Sequence, residues 1–195
     1  MIASEHTPSW DRRDANGMTA WLHGATGIDV GAGDGTAKWS KRYGANVRQW
    51  DLRQGDGDGT LLDGVPDGSQ DFIFSSHLLE HLVHPELALR NWVRVVKPGG
   101  HLLIVVPHRD LYEKKERLPS QFNQNHLRFY LPDRDAPPDT VGYLPWLRSQ
   151  QEALGFEVLA LQTGDWGYRR TPATAPPTMQ FDIDGLLRKE SHGSR

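Results

Sequence analysis

The chain contains no cysteine in 195 residues, which excludes a disulfide scaffold, a cysteine zinc site and a thiol nucleophile together. Long apolar runs are missing too. The longest, Leu102 to Val106, falls far short of the ~20 residues that span a bilayer. The opening stretch, Met1 to Val30, mixes charges with Pro8 and Gly17 and has no apolar core of a secretory signal. The cytoplasm is therefore the expected location, with no membrane partner. Excess charge is also lacking: 22 basic residues against 25 acidic ones leave a net charge of −3. That balance lacks the basic footprint of a dedicated nucleic-acid binder. What remains, with 37% hydrophobic and 24% charged residues, is an ordinary globular composition. A chain of this length can bury ~70% of its unfolded surface in one core. A single domain over residues 1–195 is expected, with a short N-terminal segment at 1–24.

Apolar runs alternate with helical patterns from Gly27 onward. One short helix is expected around Ala15 to His23. Strands are expected at Ile28–Val30, Asn46–Trp50, Asp71–Ser75, His101–Val106, Phe156–Leu161 and Met179–Leu187. Thr36–Tyr43 reads as a helix with Asp34 as its N-cap. Pro85 opens another, which Lys97-Pro98-Gly99-Gly100 ends. Leu144–Leu154 has helical spacing and is closed by Gly155. Strands alternating with helices predict a three-layer α/β fold with a mainly parallel sheet. Pro107 to Thr140 is polar, aromatic and unusually long for a connector.

The most specific stretch is Gly27 to Gly35, G-I-D-V-G-A-G-D-G, a strand entering a glycine turn. Glycines 31, 33 and 35 clear Cβ atoms from a path where backbone approaches a ligand. The dinucleotide fingerprint fails at Thr36, where glycine or alanine is required. Asp29 lies inside the strand, where a carboxylate needs a cation or donors such as an amino-acid ammonium group. Asp51, at the end of the next strand, has the position of an acid that accepts from both ribose hydroxyls.

In these residues the chain resembles the class I S-adenosylmethionine-dependent methyltransferases. The resemblance continues through P-D-G-S-Q-D-F-I-F-S-S-H-L-L-E-H-L at Pro66 to Leu82, and through V-K-P-G-G-H-L-L-I-V-V-P at Val96 to Pro107. It extends to the G-F-E-V-L run at Gly155 to Leu159. It implies a Rossmann-like sandwich with strand order 3-2-1-4-5-7-6 and the last strand antiparallel. Strand 3 is expected to be vestigial, since Leu52 to Val65 is short and glycine-rich. It implies S-adenosylmethionine as cofactor, bound by Asp29, Gly31, Gly33, Gly35 and Asp51. Asp58 with Gly59 beside it stands near the position of the adenine-contacting acid, with Asp56 competing, and Ser75 is counted with the cofactor residues.

His77 to His81 spells H-L-L-E-H, a metalloprotease string. Pro85 leaves too little helix to hold such a site, and an obvious third ligand is lacking. Glu80 and His81 could hold a divalent ion, but nothing in the sequence requires one, and no metal is expected. A hydroxyl acceptor needs a base, and histidine is best tuned for that near neutral pH. His77 and His108 rank first because each lies within two residues of a predicted strand end; His81 follows, and His126 is a further candidate. Residues 108–142 are expected to form a substrate-side insertion, lined by aromatics such as Tyr112 and Tyr130. The expected function is methyl transfer to oxygen or nitrogen of a small molecule, with a sugar-containing or secondary-metabolite intermediate as the acceptor class. The alternative is a non-catalytic cofactor-binding or regulatory protein of the same fold.

Overall fold

The computed structural model describes residues 7–33, 38–164 and 181–191. Six strands form one sheet in the order β2-β1-β3-β4-β8-β7. They are β1 (Thr26–Val30), β2 (Asn46–Trp50), β3 (Gln70–Ser76), β4 (Val96–Pro107), β7 (Phe156–Thr163) and β8 (Asp182–Lys189). The pairs β1–β2, β1–β3 and β3–β4 are parallel, whereas β8 runs antiparallel to both β4 and β7. Two short parallel strands, β5 (Phe129–Leu131) and β6 (Thr140–Gly142), make a separate sheet. Four α-helices complete the described elements: α1 (Thr7–Ala15), α2 (Lys38–Tyr43), α3 (Pro85–Val95) and α4 (Tyr143–Leu154).

Both faces of the sheet are covered, and β4 shows why its sequence is continuously apolar. Leu102, Ile104 and Val106 point to one side, into a core with Leu89, Trp92 and Leu147 from α3 and α4. Leu103 and Val105 point to the other, among Trp10, Trp39 and Tyr43 from α1 and α2. A strand buried on both faces can spare no alternate position for polar residues. Three layers follow directly.

The α/β class and mixed, mostly parallel sheet agree with expectation, but the strand order does not. Among the described residues no third strand stands outside β2. Residues 52–54 form a 3-10 turn, and Gly55, Gly57 and Gly64 take left-handed backbone angles that a strand cannot contain. The other six positions of the expected order are filled. The N-terminal helix is also displaced, lying at Thr7–Ala15, with only a 3-10 turn at Ala20–Leu22. Its apparent polarity is deceptive, because Arg13 is fully buried against Asp184 on β8, 2.8 Å away, and packs over the Trp10 ring. β4 starts at Val96, so Lys97 to Gly100 lie within the strand rather than forming a stop before it. Gly35 and the expected helix start at Asp34 to Thr36 lie outside the described residues.

Candidate active site

Parallel strands bring their carboxyl ends to one edge of the sheet, where open α/β folds bind ligands. At this edge β1 ends in Val30, followed by Gly31, and β2 ends in Trp50, followed by Asp51. Asp29 is buried one residue below, in register with Gln49 and Phe74. Gly31 adopts φ +80°, and a Cβ on it would lie 3.0 Å from Leu78. Only glycine suits both the angle and the space. The Gly33 N–H donates to Asp51 Oδ2 at 2.9 Å, and the Arg53 N–H donates to Oδ1 at 2.8 Å. Asp51 is thereby fixed at the strand tip.

The loop after Asp51 folds back over this edge. Asp56 accepts from the Asp51 N–H at 3.1 Å, which turns its carboxylate inward. Asp58 is exposed and accepts from the Thr60 N–H at 2.8 Å. Gly59 lies so close to β1 that a Cβ would come within 2.8 Å of Val30. Ser75 sits inside β3, buried, with its hydroxyl lacking a hydrogen-bond partner among the described residues.

Beyond β3 the chain does not form the helix that an H-x-x-E-H metalloprotease requires. His77 takes φ +53°, and Leu79 to His81 make a single 3-10 turn. This loop gathers five acids and histidines. Because β8 is antiparallel, its first residue, Asp182, pairs with the last residue of β4, Pro107, and so reaches the same edge. His77 Nε2 lies 3.2 Å from Asp182 Oδ1. Glu80 is fully buried, and its Oε1 lies 3.8 Å from His77 Nδ1, His81 Nε2 and His126 Nε2. Tyr112 packs between the rings of His77 and His126.

Residues 107–142 supply the far wall. A π-helical turn, Arg109–Glu113, carries Tyr112 and Glu113 inward. His126 Nδ1 hydrogen-bonds Glu113, whose other oxygen accepts from the Ser120 hydroxyl at 2.5 Å. The Leu127 N–H donates to the Glu80 carbonyl at 2.9 Å, tying this segment to the loop after β3. His108 stands apart from the cluster: its Nδ1 accepts from the Asp110 N–H at 3.1 Å and caps the π-helical turn.

Burial sets the charge states. It pushes Asp182 above the usual carboxylate range, partly offset by the hydrogen bond from His77. Burial also lowers His81 and His108 toward the neutral imidazole, with Glu80 and Asp110 respectively opposing it. The Tyr112 phenol is pushed up to about 12 by burial, with Glu113 adding to the shift.

Thus the structure brings Asp29, Gly31, Gly33, Asp51 and Gly59 to one stretch of the sheet edge, and His77 and His81 to the adjoining one. Asp182 and Glu113 were not singled out as functional by the sequence, whereas Tyr112 was expected among the aromatics of the insertion. The signal for Asp182 was F-D-I-D in an apolar strand, since acids there must have partners.

Residues 16–104 match the family model of the methyltransferase domain. The 2-methyl-6-phytyl-1,4-hydroquinone methyltransferase of Synechocystis sp. is 26% identical, over 89% of this chain and 58% of that protein. The chain therefore spans little more than half the length of this curated relative. An S-adenosylmethionine dependent methyltransferase from Mesorhizobium loti superposes with a TM-score of 0.62 at 17% identity, covering 96% of this chain and 100% of that one. A SAM dependent methyltransferase from Aquifex aeolicus gives 0.56 at 17% identity, covering 91% and 89%. At such identities the structural likeness concerns the fold.

Proposed function

Because the chain carries a methyltransferase domain of the class I S-adenosylmethionine-dependent family, we propose that it transfers a methyl group to oxygen or nitrogen of a small-molecule acceptor. S-adenosylmethionine supplies the methyl group already activated on a sulfonium, so the protein must align an acceptor with it and exclude water.

The residues present fit that cofactor. At Gly31 and Gly59 the backbone is packed so closely against Leu78 and Val30 that no Cβ fits, whereas the space beside Gly33 is open. Asp51 uses two of its roughly four acceptor positions on backbone donors, leaving others for ribose hydroxyls. Asp29 is assigned to the ammonium group of the methionine moiety. Asp58, exposed beside Gly59, is assigned to the adenine side in preference to Asp56, which is engaged by the Asp51 N–H. Gly31, Gly33 and Ser75 are assigned to the same cradle, and Gly35, outside the described residues, is assigned to the cofactor on the sequence pattern alone.

The observation that carries the acceptor side is the His77–Asp182 pair at 3.2 Å, in the loop whose Leu78 abuts Gly31. With Asp182 accepting from Nε2–H, His77 Nδ1, which faces Glu80, is assigned as the base that takes the acceptor's proton. The imidazolium so formed lies between Asp182 and Glu80. The positive φ of His77 fits this role, since strained backbone concentrates at functional positions. His108 is set back by its capping bond. The hydroquinone relative and the aromatic wall of Tyr112 favour a hydroxylated acceptor, with sugar-containing or secondary-metabolite compounds the class to screen first.

Calorimetry with S-adenosylhomocysteine, followed by a labelled-methyl screen of such acceptors, tests the reading. Saturable binding and label in one hydroxylated class are expected. Binding of NADH in place of S-adenosylhomocysteine would overturn it.

A further inference from the structure

Glu80 has no place in the methyl-transfer scheme beyond its proximity to His77, yet its surroundings are unusual for a carboxylate. Its side chain is fully buried, and neither carboxylate oxygen has a hydrogen-bond partner among the described residues. A buried carboxylate is tolerated when a cation or donors meet it. Three imidazole nitrogens lie 3.8 Å from its Oε1 instead: Nδ1 of His77, a ring already paired with Asp182 through Nε2, and Nε2 of His81 and of His126. That separation is too long for a hydrogen bond.

The outer nitrogens of the His81 and His126 rings decide what the inner ones offer. His81 Nδ1 lies 3.1 Å from the Asn125 carbonyl, which can only accept, so Nδ1 carries the proton. His126 Nδ1 meets the Glu113 carboxylate, itself fixed by Ser120. A ring that carries its proton on Nδ1 presents a lone pair at Nε2. Three ligand atoms, one from each residue and all within 4.8 Å of one another, converge here. Lone pairs so gathered are repulsive until a cation enters.

We infer that Glu80, His81 and His126 form a mononuclear site for a divalent transition metal. Two imidazoles and one carboxylate suit Zn²⁺, Co²⁺ or Fe²⁺, whereas Mg²⁺ and Ca²⁺ prefer sites made wholly of oxygen. The outer partners match those of metal-bound histidines elsewhere, one carboxylate and one backbone carbonyl, each orienting its ring. Ligands ~2.0–2.2 Å from a tetrahedral ion stand roughly 3.5 Å apart, so the donors need only modest closure. The third ligand comes from the insertion, held to the loop after β3 by the Leu127 N–H and the Glu80 carbonyl. The His81 side chain is 26% exposed, leaving a solvent side on which a further ligand can enter. That ligand is an oxygen of the acceptor, whose proton the ion would make easier to remove. This last assignment rests on the methyl-transfer reading; the binding of the ion does not.

The test uses protein stripped with a chelator and dialysed, without cofactor or acceptor. Zn²⁺ is titrated by calorimetry and Co²⁺ by its visible absorption. One equivalent is expected at roughly 1 µM or tighter. Glu80→Gln, His81→Gln and His126→Gln should each weaken binding at least about 100-fold, Glu113→Gln about 10- to 100-fold. His101→Gln, midway along β4 and outside this cluster, should bind as the unmodified protein does. Absence of stoichiometric binding, or retention of affinity within threefold in the ligand variants, overturns the site. If the buried variants fail to fold by circular dichroism, His81→Gln at the rim decides: unchanged affinity overturns the proposal. Metal binding without cofactor binding would sink the methyl-transfer reading alone, and the converse would sink the metal site alone.

Discussion

Replacing Asp51 by alanine removes a carboxylate that accepts from the Gly33 and Arg53 N–H groups and, on the proposed function, from the ribose hydroxyls. Asp51 is only partly buried, so water can reach both backbone donors when the carboxylate is gone. The fold should therefore stand. Hydrogen bonds to a charged group contribute ~1.5–3 kcal/mol each, and hydration offsets part of that. A pair to ribose then sums to ~2–3 kcal/mol of affinity, a factor of roughly 30 to 150 in dissociation constant. Calorimetry with S-adenosylhomocysteine reads this directly. The ligand-free melting temperature should move little, while the ligand-induced rise in it should nearly vanish. Glu190→Ala, exposed at the far end of β8, is the control and should change neither quantity. An Asp51→Ala protein that binds within threefold of the unmodified chain refutes the ribose assignment.

Asp182→Asn keeps the shape of the side chain but disturbs the orientation of His77; kcat should fall about 100- to 10,000-fold with cofactor affinity nearly unchanged. Equal turnover in a labelled-methyl assay would remove His77 from the base role. Arg13→Met should leave Asp184 a buried carboxylate with Arg12 as its remaining cation beside the Gln162 amide and destabilise the protein by about 3–5 kcal/mol. Burial pushes Asp184 up, but Arg13 and Arg12 more than offset it and hold it below the usual range. Its contribution is therefore complete above the unfolded value of ~3.9 and is lost as pH falls through the lower folded value. Urea unfolding should show a stability gain from pH 3 to pH 6 that shrinks in Arg13→Met; an unchanged gain would refute the pairing argument. In metal-free protein, Glu80→Gln offers an amide N–H₂ to the Nε2 atoms of His81 and His126, and relief of ~1–2 kcal/mol should raise the melting temperature by roughly 2–8 °C. A fall in melting temperature would mean that the carboxylate already has a proton to share.

The glycine turn, Asp29 and Asp51 were legible because their meaning is local: strand, tight turn and strand tip follow from neighbours a few residues apart. The same holds for the continuously apolar β4, whose burial on both faces leaves its mark on every residue. The third strand was half legible, since Leu52 to Val65 was visibly too short and too rich in glycine, yet the family pattern still supplied a remnant. Helix α1 was misplaced because its buried face includes Arg13, which looks like a surface residue until Asp184 is beside it. Glu80 and His126 belong to separate loops, and no periodicity links loop residues across 46 positions. The H-x-x-E-H string drew attention to the right loop for a geometry that it does not adopt.

β8 lies between β4 and β7, both of which precede it in the chain. During synthesis those two strands emerge before the one that joins them, and each presents an unpaired edge until residues 182–189 arrive. Such edges recruit other chains, so the nascent protein is most prone to association in that interval. The same strand carries Asp182, the partner of His77, and Asp184, the partner of Arg13. Neither pair can form in a chain that has not inserted β8. Completion of the sheet, anchoring of the N-terminal helix and assembly of the histidine–aspartate pair are thus one cooperative event, and a partly folded molecule should have no partial activity to display.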